Sequence, residues 1–200
     1  MRKWIGGICI FLGVVCLLSA AGFAVYNLWE DKNAEAVSQG FLENVQSRIE
    51  EPQPELLPPD ETEEMPSEMA TVEVDGYDCI GILSVPVLDL ELPVLTDWSY
   101  EKLKKAPCLY YGSYYERDFV IAAHNYASHF GRLSELQPRD LILFTDVSGN
   151  VYCYEVALLE TLPANATEEM ITSGFDLSLY TCTPGGASRV TVRCNVLSGA

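Results

Sequence analysis

The stretch LSLYTCTPGGASRVTVRCNVL, residues 177 to 197, carries a thiol at Cys182 and a guanidinium at Arg189. Two runs suited to strands, 177 to 181 and 189 to 197, flank a Pro184-Gly185-Gly186 turn, so Cys182 and Arg189 meet at neighbouring strand ends. Side chains alternate along a strand, which puts Leu177, Leu179 and Thr181 on one face and Ser178, Tyr180 and Cys182 on the other. In the second run Val190, Val192 and Cys194 form the apolar face, and Arg189, Thr191 and Arg193 point the other way. A polar site outside an apolar barrel is the expectation.

A thiol with its ordinary pKa of about 8.5 is only a few per cent ionised at neutral pH, so a catalytic cysteine needs a base or a positive charge beside it. The chain has two histidines. His124 directly follows a short apolar run, 119 to 123, and therefore sits at a strand end as Cys182 does, placed for general acid/base work. His129 falls in a segment read as helical, 129 to 136, and is the weaker choice. Arg189 and Arg193 share strand parity but lie about 13 Å apart at ~3.3 Å per residue, so one oxyanion has one main partner. Arg189, across the turn from Cys182, is preferred. Arg193 reads as an exposed strand charge paired to an acid, which makes Arg193→Lys an expected near-neutral change.

The elements that must position these groups are mostly strands. Residues 77 to 85 and 90 to 95 read as strands joined by a turn at 86 to 89, with Gly81 as a bulge. Residues 98 to 105 suit a short helix ended by Pro107; 140 to 144 and 151 to 162 return to strand around a Ser148-Gly149-Asn150 turn, and Thr167-Glu168-Glu169 starts a short helix. Seven or eight strands with few short helices predict a mainly β, antiparallel or mixed barrel rather than a βαβ sheet. Neither a P-loop nor a dinucleotide glycine pattern occurs, and no Cys-x-x-Cys or His-x-x-x-His spacing points to a metal. No cofactor and no metal are expected.

Three regions follow from composition. Residues 1–29 are a cytoplasmic N-terminus and transmembrane anchor: Arg2 and Lys3 precede an uncharged apolar run, 5 to 26, bracketed by Trp4 and Trp29 and followed by Glu30-Asp31. A cleaved signal peptide is the competing reading, with Ser19-Ala20-Ala21 near a plausible cleavage position, but the run is long for it. Residues 30–71 form an acidic stalk, helical in spacing from 33 to 50 and rich in Pro and Glu from 51 to 67. Residues 72–200 are the folded domain. Of the formal net charge of −17, residues 30 to 75 carry −12, and no basic stripe exists, so nucleic acid is excluded as a partner. Of the seven cysteines, Cys79, Cys108, Cys153 and Cys194 permit three pairings or none in an exported domain.

A resemblance adds to these readings. LSLYTC followed by RVTV resembles the sortase signature, a Thr-x-x-Thr-Cys-like strand end followed by a strand that carries an arginine. Ile80-Gly81-Ile82-Leu83-Ser84-Val85-Pro86 with Leu90-Glu91-Leu92-Pro93-Val94 is similar to the family's opening strands, and Ala123-His124-Asn125 with Phe130-Gly131-Arg132-Leu133 to its histidine segment. Ala-His-Asn-Tyr and Thr-Cys-Thr look nearest to class B-like members, whereas residues 163 to 176 are short for their helix-bearing insertion, which leaves the subclass open. The resemblance implies a closed sortase-type barrel and a cysteine transpeptidase. Cys182 would be its nucleophile, His124 its general acid/base and Arg189 its oxyanion stabiliser.

The implied partners are surface proteins with a C-terminal Leu-Pro-x-Thr-Gly-like sorting signal and an amine from a peptidoglycan precursor or a pilin. The enzyme would sit in the cell membrane as a single-pass protein with its catalytic domain outside. Some sortases bind calcium through acids beside the groove; Glu116, Asp118, Glu168 and Glu169 here read as solvated charges. The alternatives are a surface cysteine peptidase using water as acceptor and a non-catalytic surface binding module. The topology has a direct test: protease added to intact cells is expected to release the domain by cutting within residues 51 to 70, and a mature N-terminus near Ala21 would overturn it.

Overall fold

The computed structural model describes residues 2–49 and 68–197. The Pro/Glu-rich linker expected over 51 to 67 lies outside the described residues. Two compact units emerge, Met1–Asn33 and Ala34–Ala200. Helix α1, Arg2–Gln46, is one element where the sequence suggested two, because Glu30 and Asp31 break the apolar run without breaking the helical backbone. Ile10, Phe11, Leu17, Leu18 and Phe23 along it are all at least 68% exposed, and among the described residues this is the one helix long and apolar enough to cross a membrane.

The second unit is a barrel with one added strand. In chain order its elements are β1 (Val72–Val74), β2 (Tyr77–Val85), β3 (Leu90–Leu95), α2 (Tyr100–Leu103), β4 (Cys108–Tyr111), β5 (Phe119–Ala122), β6 (Leu141–Asp146), β7 (Val151–Pro163), α3 (Thr167–Ile171), β8 (Leu177–Cys182) and β9 (Ser188–Val196). The sheet order is β1-β2-β3-β4-β5-β8-β9-β7-β6, and β2 pairs with β6 to close eight strands into a barrel, leaving β1 at its edge. The expected mainly β barrel is therefore present. β1 is too short to announce itself, and β4 follows Pro107 with no alternating pattern, so both escape a periodicity reading.

Alternation fills the barrel as the sequence predicts. Leu83, Val85, Leu92, Val94, Phe119, Ile121, Ile142, Phe144, Leu177, Leu179, Val192 and Cys194 are all buried in one cluster. Gly81 is the expected bulge: the register shifts between Cys79 and Gly81, φ is +156°, and a Cβ there would strike the Thr145 carbonyl on β6. The helix expected over 129 to 136 is instead a loop with a single 3-10 turn, Leu133–Glu135. The N–H groups of His129 and Gly131 donate to Tyr126 O and that of Phe130 to His124 O, which folds the chain back onto the end of β5 and drives Phe130 into the core.

The end of α1 has a use that the sequence left open. Ser38, Phe41, Leu42 and Val45 follow the i, i+3, i+4, i+7 spacing of one helical face and are buried. Phe41, Leu42 and Val45 form a second core with Val74, Cys79, Ile82, Leu95, Ala106 and Cys108 on the outer face of the sheet. Arg48 Nη1 donates to Glu73 O (2.6 Å) and Asn44 Nδ2 to Asp75 Oδ2 (3.2 Å), fixing the helix end to the β1–β2 hairpin. Burial pushes the Cys79 thiol up to about 11 and the Cys108 thiol up to about 12, so both are inert while this helix is docked. Phe41→Ala in the full chain is expected to cost about 3 kcal/mol. It should also make Cys79 and Cys108 label with a thiol reagent; unchanged labelling and an unchanged melting temperature would show that the helix does not cover them.

Candidate active site

The site begins with a parallel strand pair. β5 and β8 run side by side with Phe119 opposite Leu177 and Ala122 opposite Tyr180. Two residues further along each chain stand His124 and Cys182, so the register brings them level at neighbouring strand ends. The pairing persists past the end of β5: the Ala123 N–H donates to Tyr180 O (3.2 Å), and Thr181 Oγ1 donates to Ala123 O (2.8 Å). Thr181 is buried, as its position on the inward face of β8 requires.

Arg189 comes from the other side. It is the direct partner of Cys182 in the antiparallel β8–β9 pair. The connecting turn is closed by the Gly186 N–H donating to Thr183 O (2.8 Å), with Pro184 at its second position and Gly185, φ +84°, at its third. That is the arrangement of a type II turn, in which the third position needs positive φ. The Ser188 N–H also donates to Thr183 Oγ1 (3.1 Å). Arg189 Nη1 donates to Gly186 O and to Ser188 O, each at 3.0 Å, so the turn holds the guanidinium at the mouth of the site.

His124, Cys182 and Arg189 line one groove of about 190 Å³. The α3 segment supplies one wall through Ala166, Thr167 and Met170, while Trp98, Tyr100 and Tyr110 supply the opposite wall. All three residues singled out in the sequence thus meet. His129 does not join them: it is fully buried behind the strand end, its ring 5.5 Å from that of Tyr126. A larger cavity of about 500 Å³ lies elsewhere, beside Glu68, Glu116 and Asp118, and includes none of the three. Among the described residues no group of three or more His, Cys, Asp or Glu is arranged to hold a metal ion. The cysteines of the barrel are free, and burial pushes the Cys194 thiol far up, which leaves half-buried Cys182 as the thiol that opens on the groove.

Arg193 corrects the sequence reading. Its parity is as expected, but it is 1% exposed rather than a surface charge. Nε donates to Glu160 Oε1 (2.7 Å), Nη1 to Ser178 Oγ (2.8 Å) and to Met170 O (3.0 Å), and Nη2 to Glu169 O (2.7 Å). The outer face of β9 is therefore roofed by α3, and Arg193 is the bolt between them. A tertiary roof of this kind leaves no mark in strand alternation. The groove wall depends on it, because Met170 both accepts from Arg193 and lines the groove.

Arg193→Lys keeps the charge and loses the planar fork that reaches four acceptors at once. It is expected to cost about 2 kcal/mol, read as a fall of roughly 5 °C in Tm. A Tm equal to wild type would restore the exposed-charge reading.

The Sortase domain model matches residues 83–197, more than half of the chain. No curated protein matches. Among solved structures, sortase C from Streptococcus pneumoniae is similar at 25% identity and a TM-score of 0.54, covering 85% of this chain and 89% of its own. Sortase C1 from Streptococcus suis is similar at 25% identity and a TM-score of 0.53, with coverage of 61% and 74%. Sortase A from Corynebacterium diphtheriae shares the fold at 22% identity and a TM-score of 0.54, covering 62% of this chain; the chain spans 63% of that relative's length. With a barrel of this topology and a family-model match over residues 83–197, the chain belongs to the sortase family, whose members are cysteine transpeptidases.

Proposed function

We propose that this protein is a membrane-anchored transpeptidase that cleaves a Leu-Pro-x-Thr-Gly-like sorting signal and joins the acyl part to an amine of the cell wall or of a pilin. The observation that carries the reading is the meeting of Cys182, His124 and Arg189 at three adjacent strand ends around one groove. Cys182 Sγ attacks the scissile carbonyl; the C–N bond breaks as the C–S bond forms, and the thiol proton reaches the leaving nitrogen through His124. Arg189 faces the oxygen on which charge develops and stabilises it in both halves of the reaction. In the second half an amine attacks the thioester, its proton passes through His124 to the departing sulfur, and Cys182 is regenerated.

The exposed apolar length of α1 supports a bilayer anchor, and Arg2 and Lys3 before it with Glu30 and Asp31 after it support an outward-facing domain. The Streptococcus pneumoniae relative, whose structure is described in terms of pilin substrate specificity, supports a pilin-type partner. A peptidase using water as acceptor would employ the same three residues, and product analysis separates the two: with a peptide library and an added amine, mass spectrometry should find the acyl fragment on Cys182 and then on the amine. Hydrolysed product alone, whatever the amine concentration, would favour the peptidase.

Each role has its own variant. His124→Ala is expected to abolish turnover with an unchanged Tm. Arg189→Lys is expected to lose 10²- to 10³-fold in kcat, the usual effect of removing an oxyanion donor. Full single-turnover acylation in Arg189→Lys would remove Arg189 from the chemistry.

A further inference from the structure

Given the roles proposed for Cys182, His124 and Arg189, on which the acceptor site depends, the sheet order gives the groove two chemically distinct sides. The strands run β4-β5-β8-β9-β7, so Arg189 lies on one side of Cys182 and His124 on the other. The oxyanion belongs to the acyl group, which places that group toward Arg189. The nitrogen that leaves and the nitrogen that enters both exchange a proton with His124, which places amines toward β5 and β4. On that side the wall is aromatic. Trp98 packs against Tyr110 with centroids 5.9 Å apart and ring planes tilted by 38°, Tyr100 meets Trp98 edge-on at 6.0 Å, and Tyr110 meets Tyr180 edge-on at 5.2 Å.

We propose that Trp98, Tyr100 and Tyr110 bind the incoming acceptor, and that this acceptor is a primary amine on an aliphatic stem, as in a lysine side chain. Aromatic faces attract an ammonium group and pack against the methylenes that carry it. A glycine-type amine brings no such stem. Trp98 is 44% exposed and Tyr100 75%, so face area remains for a ligand. The two nearby lysines of this segment are engaged elsewhere: Lys102 is paired with Asp97, and Lys105 lies over the Tyr77 ring, 5.2 Å from its centroid. The wall is also held in place. Ser99 Oγ caps α2 by accepting from the Lys102 N–H (3.1 Å), and Leu103 packs against the second core beneath it. Tyr180, two residues before Cys182, carries the aromatic chain up to the nucleophile. The bound ammonium first loses a proton to water. The free amine then attacks the thioester, the new N–C bond forms as the C–S bond breaks, and the second proton reaches sulfur through His124.

The test uses the full chain in detergent, a peptide substrate taken from the library and three acceptors: Nα-acetyl-lysine amide, triglycine and hydroxylamine. Wild type is expected to give a higher ratio of aminolysis to hydrolysis with the lysine acceptor than with triglycine. In Trp98→Leu that ratio should fall about tenfold for lysine and less than twofold for hydroxylamine, which is too small to touch the wall. Equal losses for all three amines, or an unchanged lysine ratio, would overturn the proposal. A protein-sequence lysine peptide and a cell-wall stem peptide containing lysine, run separately, are both expected to lose rate in Trp98→Leu, and the better wild-type acceptor identifies the source. A second measurement needs no turnover: in Cys182→Ala, titration with Nα-acetyl-lysine amide should shift the Trp98 indole signal by NMR. A shift without any acylation by wild type would refute the proposed reaction and retain the amine site. Acylation without a shift would retain the reaction and refute the site.

Discussion

The parallel pairing of β5 with β8 is the constraint on which the site depends. Hairpins cannot join parallel strands, so the chain between them must travel a long way round. Here it travels through β6, β7 and α3 before β8 returns beside β5, and β8 and β9 then fill the gap between β5 and β7 and close the barrel. The site at the ends of β5 and β8 therefore exists only when the barrel is closed. The bonds between Ala123, Tyr180 and Thr181 extend this pairing beyond the last residue of β5. They convert a general nearness of strands into a fixed level for His124 and Cys182.

Around that pair the barrel keeps polar chemistry outside and apolar packing inside. The inward residues of β8 and β9 are Leu177, Leu179, Val192 and Cys194, whereas the outward ones include Cys182, Arg189 and Arg193. The two arginines differ because their surroundings differ. Arg189 ends at an open turn and donates to two carbonyls of that turn, while Arg193 is roofed by α3 and satisfied by a carboxylate, a hydroxyl and two carbonyls. A buried guanidinium without such partners would be strongly destabilising, so the roof and the arginine require each other.

The second core ties a different part of the chain to the same groove. Phe41, Leu42 and Val45 cover Cys79, Leu95 and Cys108, and Leu103 of α2 packs against the same cluster while lining the groove on its other side. The helical segment from Ala34 onward is in this way part of the folded unit, and the aromatic wall stands on it.

Much of this was legible without coordinates because it depends on local period. Alternation located β2, β3, β7, β8 and β9 to within a residue or so at each end, the glycine of the β2 bulge, and the facing of Cys182 away from the core. The turn residues Pro184, Gly185 and Gly186 placed Arg189 across from Cys182, since a two-strand turn fixes register locally. What only the tertiary structure decided are the contacts between segments distant in sequence. His124 is level with Cys182 through a pairing across nearly sixty residues; His129 is buried in a loop that folds back where helical spacing suggested a helix; Arg193 is covered by α3; and one face of α1 is docked on the sheet. Periodicity reports which face of an element a residue occupies, and it is silent about which other element will come to cover that face.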